Sequence, residues 1–223
     1  MEYFDKKKNN ADIINFDYQN KRYIYRSSKR IFDFLASLFG LIVLSPVFLI
    51  VAIAIKIEDP EGPIFYSQIR LGKRQEAFKM FKFRSMVVNA DKHLKDLLSK
   101  NEVEGAMFKM KDDPRVTKVG QFIRKYSIDE LPQLMNVLLG DMSLVGPRPP
   151  LPREVSSYTD YDKQRLAVKP GCTGLWQISG RNDVGFDEMV KLDLNYINKR
   201  SLHFDLYLLF RTVLVFIKPN GAY

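Results

Sequence analysis

The stretch from Phe34 to Ile55 reads FLASLFGLIVLSPVFLIVAIAI and contains no charged residue over 22 positions. An uncharged apolar run of about 18 or more residues is typical of a helix that enters a lipid bilayer. The run begins too far into the chain and is too long to be a signal peptide, and no small-residue cleavage site follows it. It therefore predicts a helix seated in a membrane.

Ser45-Pro46 lies at the midpoint of the run, and basic residues flank both of its ends. Proline removes one helical hydrogen bond and clashes with the preceding turn, and a serine hydroxyl can bond a carbonyl that is left free. A spanning helix normally carries its excess of Lys and Arg at one end. The pattern favours a re-entrant helix that bends at Ser45-Pro46 and leaves on the face where it entered; a kinked spanning helix and a buried core helix are the alternatives. The flanking residues are Lys21, Arg22, Arg26, Lys29 and Arg30 before the run, and Lys56, Arg70, Lys73 and Arg74 after it.

The composition is that of a folding protein with an anionic partner. The chain has 223 residues, 46% of them hydrophobic, and a formal net charge of +9. This excess favours nucleic acid, an acidic membrane surface or a phosphate-rich substrate, and charge alone does not choose among them. Cys172 is the only cysteine, so no internal disulfide can form, and the isolated His93 and His203 lack the spacing of a zinc site.

Turn residues and apolar periodicity divide the chain into three segments. We expect a polar N-terminal arm over residues 1–28, either loosely structured or a surface helix, then the re-entrant helix over 29–57 and a globular domain over 58–223. The expected fold class is α+β and mostly α, with amphipathic helices and a short β-hairpin. The expected elements are strands 64–69 and 77–83, helices 89–100, 120–126, 129–139 closed by Gly140, 151–168 and 187–199, a glycine-punctuated loop 171–181, and an apolar helix 206–217 in the core or on a membrane surface.

Asp129 and Glu130 form an adjacent carboxylate pair at the expected start of a helix. One interpretation is structural, because Ser127-x-x-Glu130 fits a capping box and acidic residues favour the first helical turn. In the other register Asp129 is the N-cap, and Pro132 falls where its missing N–H costs nothing. The free N–H groups of that turn would then form a phosphate site beside the carboxylate.

Several cations accompany this pair. Arg124 precedes Asp129 by five residues, Arg148 stands between prolines that restrict its backbone, and Arg181 closes a glycine loop. The planar guanidinium group suits bidentate phosphate binding, although a single arginine is more often a surface charge. The second expected strand adds Lys79, Lys82 and Arg84.

Ordered blocks of the sequence resemble the bacterial sugar transferase family, the small monotopic polyprenyl-phosphate phosphoglycosyl transferases. The resemblance runs from about Lys29 to Tyr223 and leaves residues 1–28 uncovered; Ile128 stands where leucine is usual, and Cys172 occupies a variable position. Larger relatives carry an additional N-terminal membrane domain, so we expect the minimal form here. The blocks are KRIFD at 29–33, Ser45-Pro46, KFRSM at 82–86, SIDELPQL at 127–134, GDMS at 140–143, GPRP at 146–149 and KPGCTGLWQ at 169–177.

The resemblance implies an enzyme that transfers a sugar 1-phosphate from a UDP-sugar to polyprenyl (undecaprenyl) phosphate, the initiating step of exopolysaccharide, capsule or glycoconjugate synthesis. It implies that Asp129 is the covalent nucleophile, that UMP is released, and that Glu130 holds Mg²⁺. Residues 58–223 would be a cytosolic catalytic domain, held by the re-entrant helix at the inner leaflet of the cell membrane, with no nucleic acid partner. The residues implied to bind substrate phosphates are Lys82, Arg124, Arg148 and Arg181.

Two other functions are compatible with the residues. A direct glycosyltransferase would pass on the sugar alone and release UDP. A basic, membrane-anchored scaffold would have no chemistry at Asp129. The sugar, the glycan pathway, the oligomeric state and the role of residues 1–28 are left open by the sequence.

Overall fold

The computed structural model describes residues 14–90, 92, 97, 110, 112–179 and 185–217. The expected helix 89–100 lies largely outside these residues, and Arg181 lies wholly outside them. Helices dominate the described part, with two small sheets of two strands each. The helices are α1 Phe16–Lys21, α2 Tyr23–Val43, α3 Ser45–Glu58, α4 Lys118–Lys125, α5 Gln133–Leu139, α6 Pro152–Val155, α7 Asp160–Lys163, α8 Leu175–Ile178, α9 Phe186–Lys199 and α10 Leu202–Ile217, and the strands are β1 Phe65–Leu71, β2 Ala77–Phe83, β3 Ser143–Val145 and β4 Gly171–Thr173.

The apolar run forms the end of α2 and most of α3, which are bent by 57° relative to each other. The Ser45 hydroxyl donates to the Ile42 carbonyl at 2.8 Å. This is the carbonyl that lacks a helical donor because Pro46 has no N–H. The bend expected at Ser45-Pro46 is thus confirmed, and α2 already begins at Tyr23, within the segment expected to be a polar arm.

Most large apolar side chains of the bent pair are exposed. Phe39 is 68% exposed, Ile50 66% and Leu49 62%. In the described part of the chain, no one helix has the length and hydropathy needed to cross a bilayer, whereas α2 and α3 taken together do. Exposed apolar surface of this extent is typical of a segment whose partner lies outside the chain. It is inconsistent with the alternative of a buried core helix.

The polar half of α2 is attached firmly to the globular domain. The Arg30 guanidinium donates to the carbonyls of Val137 and Leu138 at 2.6 and 2.9 Å, at the C-terminal end of α5. One turn further along α2, the buried Asp33 carboxylate accepts hydrogen bonds from the Ser143 hydroxyl at 2.7 Å and the Leu144 N–H at 3.2 Å. The orientation of α2 is therefore set by contacts at two points of the domain.

The apolar half of the bent pair packs against the same domain. Gly40 of α2 approaches α5 so closely that a Cβ there would lie 3.3 Å from Leu134 Cδ1. On α3, Val51 and Ile55 share a small core with Phe83 of β2 and Ile123 of α4. The bent pair thus contacts α4, α5 and β2, the elements that surround the Asp129 turn.

The β-hairpin expected from the sequence is confirmed. Strands β1 and β2 pair antiparallel, with Tyr66 opposite Lys82. They are joined by a tight turn in which Arg74 and Gln75 have φ values of 58° and 64°. The Asn136 side chain fixes β2 to α5, because it accepts from the Phe81 N–H at 2.9 Å and donates to the Lys79 carbonyl at 2.7 Å.

Two expectations for residues 151–181 are wrong. The helix expected over 151–168 is divided into α6, α7 and a 3₁₀ turn, because Thr159 and Asp162 form a capping box that starts a new helix in its middle. The loop expected over 171–181 contains β4, which pairs parallel with β3, and then α8. A strand of three residues is too short to produce an alternating pattern.

The remaining expected helices correspond to α4, α5, α9 and α10. Gly140 ends α5 with φ = 97°, the left-handed C-cap that the sequence predicted. Helix α10 buries Leu208 and Thr212 and exposes Leu206 and Phe210. One face of α10 therefore belongs to the core, while the other presents apolar side chains outward.

We predict that removing one partner of the buried Arg165–Asp193 ion pair strongly destabilises the fold. Both side chains are almost fully buried, and the Arg165 guanidinium donates to the Asp193 carboxylate. Arg165→Met leaves a buried carboxylate without its counter-charge, so we expect it to lower the free energy of unfolding by about 3–5 kcal/mol. Denaturant unfolding in detergent measures the difference.

Lys163→Met is the matched control. Lys163 pairs with Asp160 at 3.3 Å in an exposed i,i+3 position, where an ion pair contributes about 0–1 kcal/mol. Equal losses in the two variants would show that burial does not determine the contribution of these pairs.

Candidate active site

Asp129 lies in a short 3₁₀ turn, Ile128–Glu130, between α4 and α5. The turn follows Ser127, whose φ of 51° lies in the left-handed region and whose hydroxyl makes no capping hydrogen bond. The next helix begins only at Gln133, with Pro132 as its N-cap. Both expected registers, the capping box at Ser127 and the N-cap at Asp129, are therefore wrong.

The physical reason is the tightness of the turn. Its backbone bonds run from the Glu130 N–H to the Ser127 carbonyl and from the Leu131 N–H to the Ile128 carbonyl. These are bonds between residues three apart, which use the donors that an α-helical first turn would leave free. The carboxylate of Asp129 therefore depends on side-chain cations more than on helix N–H groups.

Asp129 is only 7% exposed. Burial raises the pKa of its carboxyl, the positive charges of Lys82 and Arg124 oppose the rise, and Glu130 adds to it, so that the pKa lies at about 6 against an ordinary 3.8. The group is thus ionised at neutral pH but poorly solvated. A carboxylate in this condition is suited to nucleophilic attack, because little water has to be removed from it.

Lys82 connects the two carboxylates. Its Nζ lies 2.7 Å from Glu130 Oε1 and 3.9 Å from Asp129 Oδ2. The lysine reaches them from β2, whose position is fixed by Asn136 of α5. The structure therefore brings together Asp129, Glu130 and Lys82, which the sequence singled out separately.

Arg124 and Arg148 come from two further elements, Arg124 close to Asp129 and Arg148 into the same pocket as Glu130. Arg124 comes from α4, its charge acts on Asp129, and its buried Nη1 has no hydrogen-bond partner among the described residues. Arg148 donates to Glu154 Oε2 at 3.1 Å. A buried donor without a partner is rare and is expected where a ligand supplies the missing acceptor.

A pocket of about 180 Å³ opens beside Lys82, Glu130 and Arg148, and its lining does not include Asp129 or Arg124. It receives one acidic side chain, Glu130, and three basic ones, so its charge favours an anion. Its lining includes Lys82, Glu130, Arg148, Arg70, Gln133 and Trp176.

Arg70 and Trp176 belong to this pocket, although the sequence did not assign them a role. Arg70 is 8% exposed and donates to the Pro149 carbonyl at 3.0 Å; burial and the neighbouring Arg148 lower its pKa to about 10. The indole N–H of Trp176 is buried without a partner among the described residues. Arg70 shares its face of β1 with Tyr66 and Gln68, so no local pattern in the sequence marked it as an inward-facing residue.

Two cations, Lys79 on β2 and Arg84 directly after it, do not join the pocket. Arg84 is buried in an ion pair with Asp59 at 2.7 Å, and a Cβ on Gly62 would lie 1.3 Å from its Nη1. Lys79 points to solvent. Arg84 is thus a structural residue that fixes the start of β1, and the site cation of this strand is Lys82.

The backbone around Arg148 is held by a close approach of β3 and β4. A Cβ on Gly171 would lie 2.0 Å from the Gly146 nitrogen, and one on Gly146 would lie 2.6 Å from the Lys169 carbonyl. Only glycine fits at these two positions. Gly146 and Pro147 therefore hold the backbone of Arg148 in a fixed position at the wall of the pocket.

A family model described as bacterial sugar transferase matches residues 24–219. The chain belongs to this family. The resemblance inferred from the sequence blocks is thereby confirmed, and it extends to residues 24–28, which the blocks did not cover. The basic and acidic residues described above lie within the matched range.

Curated relatives of this sugar transferase are named as transferases or as an exopolysaccharide production protein. The chain is 47% identical over 213 residues to the galactosyl transferase CpsE of Streptococcus agalactiae, which covers 94% of this chain and 46% of that protein. It is 46% identical over 202 residues to the undecaprenyl-phosphate galactose phosphotransferase of Salmonella typhimurium; the match covers 89% of this chain and 42% of that protein. The chain thus spans less than half the length of these two relatives. It is 44% identical over 200 residues to the exopolysaccharide production protein ExoY of Sinorhizobium fredii, covering 88% of both.

We predict that Asp129→Asn stabilises the folded protein near neutral pH. The folded pKa of about 6 lies above the ordinary 3.8, so the folded protein loses stability as pH rises through this interval. Removing the charge should therefore raise the free energy of unfolding by about 2–3 kcal/mol near neutral pH and by less near pH 4. Thermal unfolding at the two pH values measures the gain.

Asp160→Asn, at an exposed position, is the control and should change stability little at either pH. A loss of stability in Asp129→Asn near neutral pH would show that the carboxylate is held by favourable contacts instead of being strained by burial.

Proposed function

We propose that this sugar transferase moves a sugar 1-phosphate from a UDP-sugar to a polyprenyl phosphate through a covalent intermediate on Asp129. The observation that carries the proposal is a buried, ionised carboxylate beside a cationic pocket. The names of relatives agree with it. The Salmonella typhimurium relative is named undecaprenyl-phosphate galactose phosphotransferase, and a relative from Aeromonas hydrophila is named as the corresponding N-acetylgalactosamine phosphotransferase. The relatives transfer galactose or N-acetylgalactosamine, so we restrict the sugar to hexoses of this kind.

The first step forms a bond between a carboxylate oxygen of Asp129 and the β-phosphorus of the donor. The bond from this phosphorus to the oxygen that bridges to the α-phosphorus breaks, and UMP leaves with that oxygen. In the second step an oxygen of the polyprenyl phosphate bonds to the same phosphorus. The acyl phosphate bond breaks, which restores the Asp129 carboxylate and gives a polyprenyl diphosphate sugar.

Cations are necessary because a carboxylate must approach a diphosphate that is itself negative. Lys82 already lies 3.9 Å from Asp129, and Arg124 has a buried donor that is not used by the described residues. Arg70 and Arg148 line the pocket in which the nucleotide phosphates would lie. Each such cation contributes on the order of 2–4 kcal/mol when it stabilises phosphoryl oxygens in the transition state. Arg181, outside the described residues, is proposed for the same role by its sequence position.

A Mg²⁺ ion at this site would be coordinated jointly by the protein and by the substrate phosphates. Among the described residues no three His, Cys, Asp or Glu side chains gather around a metal position. Mg²⁺ usually takes one or two protein carboxylates and completes its shell with waters and substrate phosphates. Glu130, whose side chain is 39% exposed, would hold the ion together with the diphosphate, and the ion would offset negative charge there.

The acceptor is a lipid phosphate, so the site has to lie at a membrane surface. Gly40, inside the apolar run, contacts Leu134 of α5. Val51 and Ile55 of α3 pack against Phe83 and Ile123, the chain neighbours of Lys82 and Arg124. We propose that α2 and α3 form a re-entrant pair on the cytoplasmic face and that they hold Asp129 at headgroup depth.

The proposal predicts UMP release from a panel of UDP-hexoses and UDP-N-acetylhexosamines, dependent on both Mg²⁺ and polyprenyl phosphate. Asp129→Asn should lower this release by at least about a thousandfold, because no other group replaces a covalent nucleophile. Asp160→Asn is the matched control and should keep full activity. The intermediate is tested directly by incubating the protein with the donor alone. Mass spectrometry should then find the sugar phosphate attached to the peptide that contains Asp129.

Two outcomes would contradict the proposal. Release of UDP in place of UMP would identify a direct glycosyltransferase. If the unaltered protein consumed no UDP-sugar, and if Asp129→Asn changed no measurable property of the protein, the chain would be a non-catalytic scaffold.

The rate should also depend on pH through Asp129. Attack requires the carboxylate, so kcat/KM should fall about tenfold per pH unit below a pKa of about 6. Lys82→Gln removes a charge that lowers this pKa, and the acid limb should move to higher pH. Lys79→Gln, on the same strand but exposed, should leave the profile in place. An acid limb near pH 4 in the unaltered protein would show that Asp129 is not desolvated during attack.

A further inference from the structure

A larger cavity, of about 520 Å³, lies at the base of α2 and is separate from the pocket beside Asp129. No residue lines both cavities. The larger one is bounded by α2, by the turn of the β-hairpin, by β3 and by the end of α9. We call it the basic cavity, because it is lined by Arg26, Lys29, Arg30, Lys73, Lys169 and Arg200.

The charge of the basic cavity is poorly balanced. Asp33 is the one acidic side chain in its lining, and Asp205 lies behind it, bonded to Lys29 at 3.0 Å. Lys29 thus has two carboxylate neighbours, while Arg30 is engaged with backbone carbonyls of α5. Arg200 donates to Gln19 at 3.0 Å and lies near Asp205. Lys169 lies near Asp141, Asp33 and Glu76. The six basic side chains of the lining still outnumber its one acidic side chain.

Lys73 and Lys169 are the two cations best placed to bind a ligand. Neither ammonium group makes a hydrogen bond or an ion pair with another described residue. Burial and the neighbouring cations, among them Arg26 and Arg200, lower the pKa of Lys73, and burial and Arg30 lower that of Lys169. Cations held close together in this way gain more from an anion than isolated surface lysines do.

The cavity also lies close to the start of the apolar run. Arg26 and Arg30 precede Phe34 by eight and four residues on one continuous helix, which corresponds to about 12 and 6 Å along its axis. The headgroup layer of a bilayer is roughly 5–8 Å thick on each side. Arg30 falls within this layer and Arg26 lies just beyond it, so the cavity opens at the outer edge of the headgroups and can receive a phosphate from a lipid as well as one from solution.

We propose that the basic cavity is a second anion site, which binds a phosphate group through Lys73, Lys169 and Arg26 and takes no part in the chemistry at Asp129. The phosphate would belong either to the headgroup of an anionic membrane phospholipid or to free phosphate or diphosphate. Bound there, it would tie the hairpin turn and the β4 end of the domain to α2, because Lys73, Lys169 and Arg26 come from these three elements.

The test measures anion binding by the full chain without any sugar donor. In one arm, calorimetry in non-ionic detergent follows inorganic phosphate and diphosphate at constant ionic strength. In the other, affinity is measured for phosphatidylcholine vesicles with and without phosphatidylglycerol. In at least one arm, Lys73→Gln/Lys169→Gln should weaken binding by about tenfold or more, since two charge-assisted hydrogen bonds are lost. The arm that responds identifies the source of the phosphate.

Three controls make the result specific. Lys92→Gln/Lys191→Gln removes two exposed lysines elsewhere and should change binding less than about twofold. Lys82→Gln alters the pocket beside Asp129 and should leave the second site intact. The single variants Lys73→Gln and Lys169→Gln, each expected to lose part of the affinity, keep the test available if the double variant unfolds.

Equal losses in the two double variants would show that the attraction is diffuse and would overturn the proposal, as would unchanged binding in both arms. Loss of phosphate binding in Lys82→Gln alone would assign the anion to the pocket beside Asp129. Because no donor or turnover is involved, these outcomes are independent of the proposed transferase activity.

Discussion

A carboxylate that is removed from water remains charged at neutral pH only when positive charge is close to it, and this requirement organises the molecule around Asp129. Burial alone raises its pKa, and Lys82 and Arg124 offset part of the rise. Stronger compensation would hold the carboxylate in tight ion pairs and make it a poor nucleophile. The distance of 3.9 Å between Lys82 and Asp129, against 2.7 Å between Lys82 and Glu130, leaves the Asp129 carboxylate with a cation near it that is hydrogen-bonded to Glu130 instead.

Such a balance depends on rigid supports, and the fold supplies them for Lys82 and Arg148. Asn136 bonds both sides of the strand that carries Lys82. Glu154, itself buried, accepts from Arg148, and the close approach of Gly146 to β4 leaves the backbone of this segment little freedom. Misplacing a charged side chain by about 1 Å is costly in a site that works by positioned charge. The contacts outside the pocket are therefore needed to position the charges inside it.

The sequence predicted those features that a local pattern specifies. The bend followed from Ser45-Pro46, the end of α5 from Gly140, and the hairpin from alternation between turn residues. It failed at the turn that holds Asp129, because Ser127 adopts a left-handed conformation that no capping rule anticipates. It also missed β4 and the place of Arg70 in the pocket, since short parallel pairing and inward-facing charge depend on contacts between segments that are distant in the chain.

The bent helix pair is more than an attachment, because both of its halves contact the elements that carry the site. On one side Gly40 packs on Leu134 of α5, the helix that follows the Asp129 turn. On the other side Val51 and Ile55 pack on Phe83 and Ile123, one residue away from Lys82 and Arg124. A change in the angle of 57° between α2 and α3 would therefore move α5 relative to β2 and α4, and with them the carboxylate relative to its cations. The angle between α2 and α3 and the electrostatics of the Asp129 carboxylate thus depend on the same packing contacts.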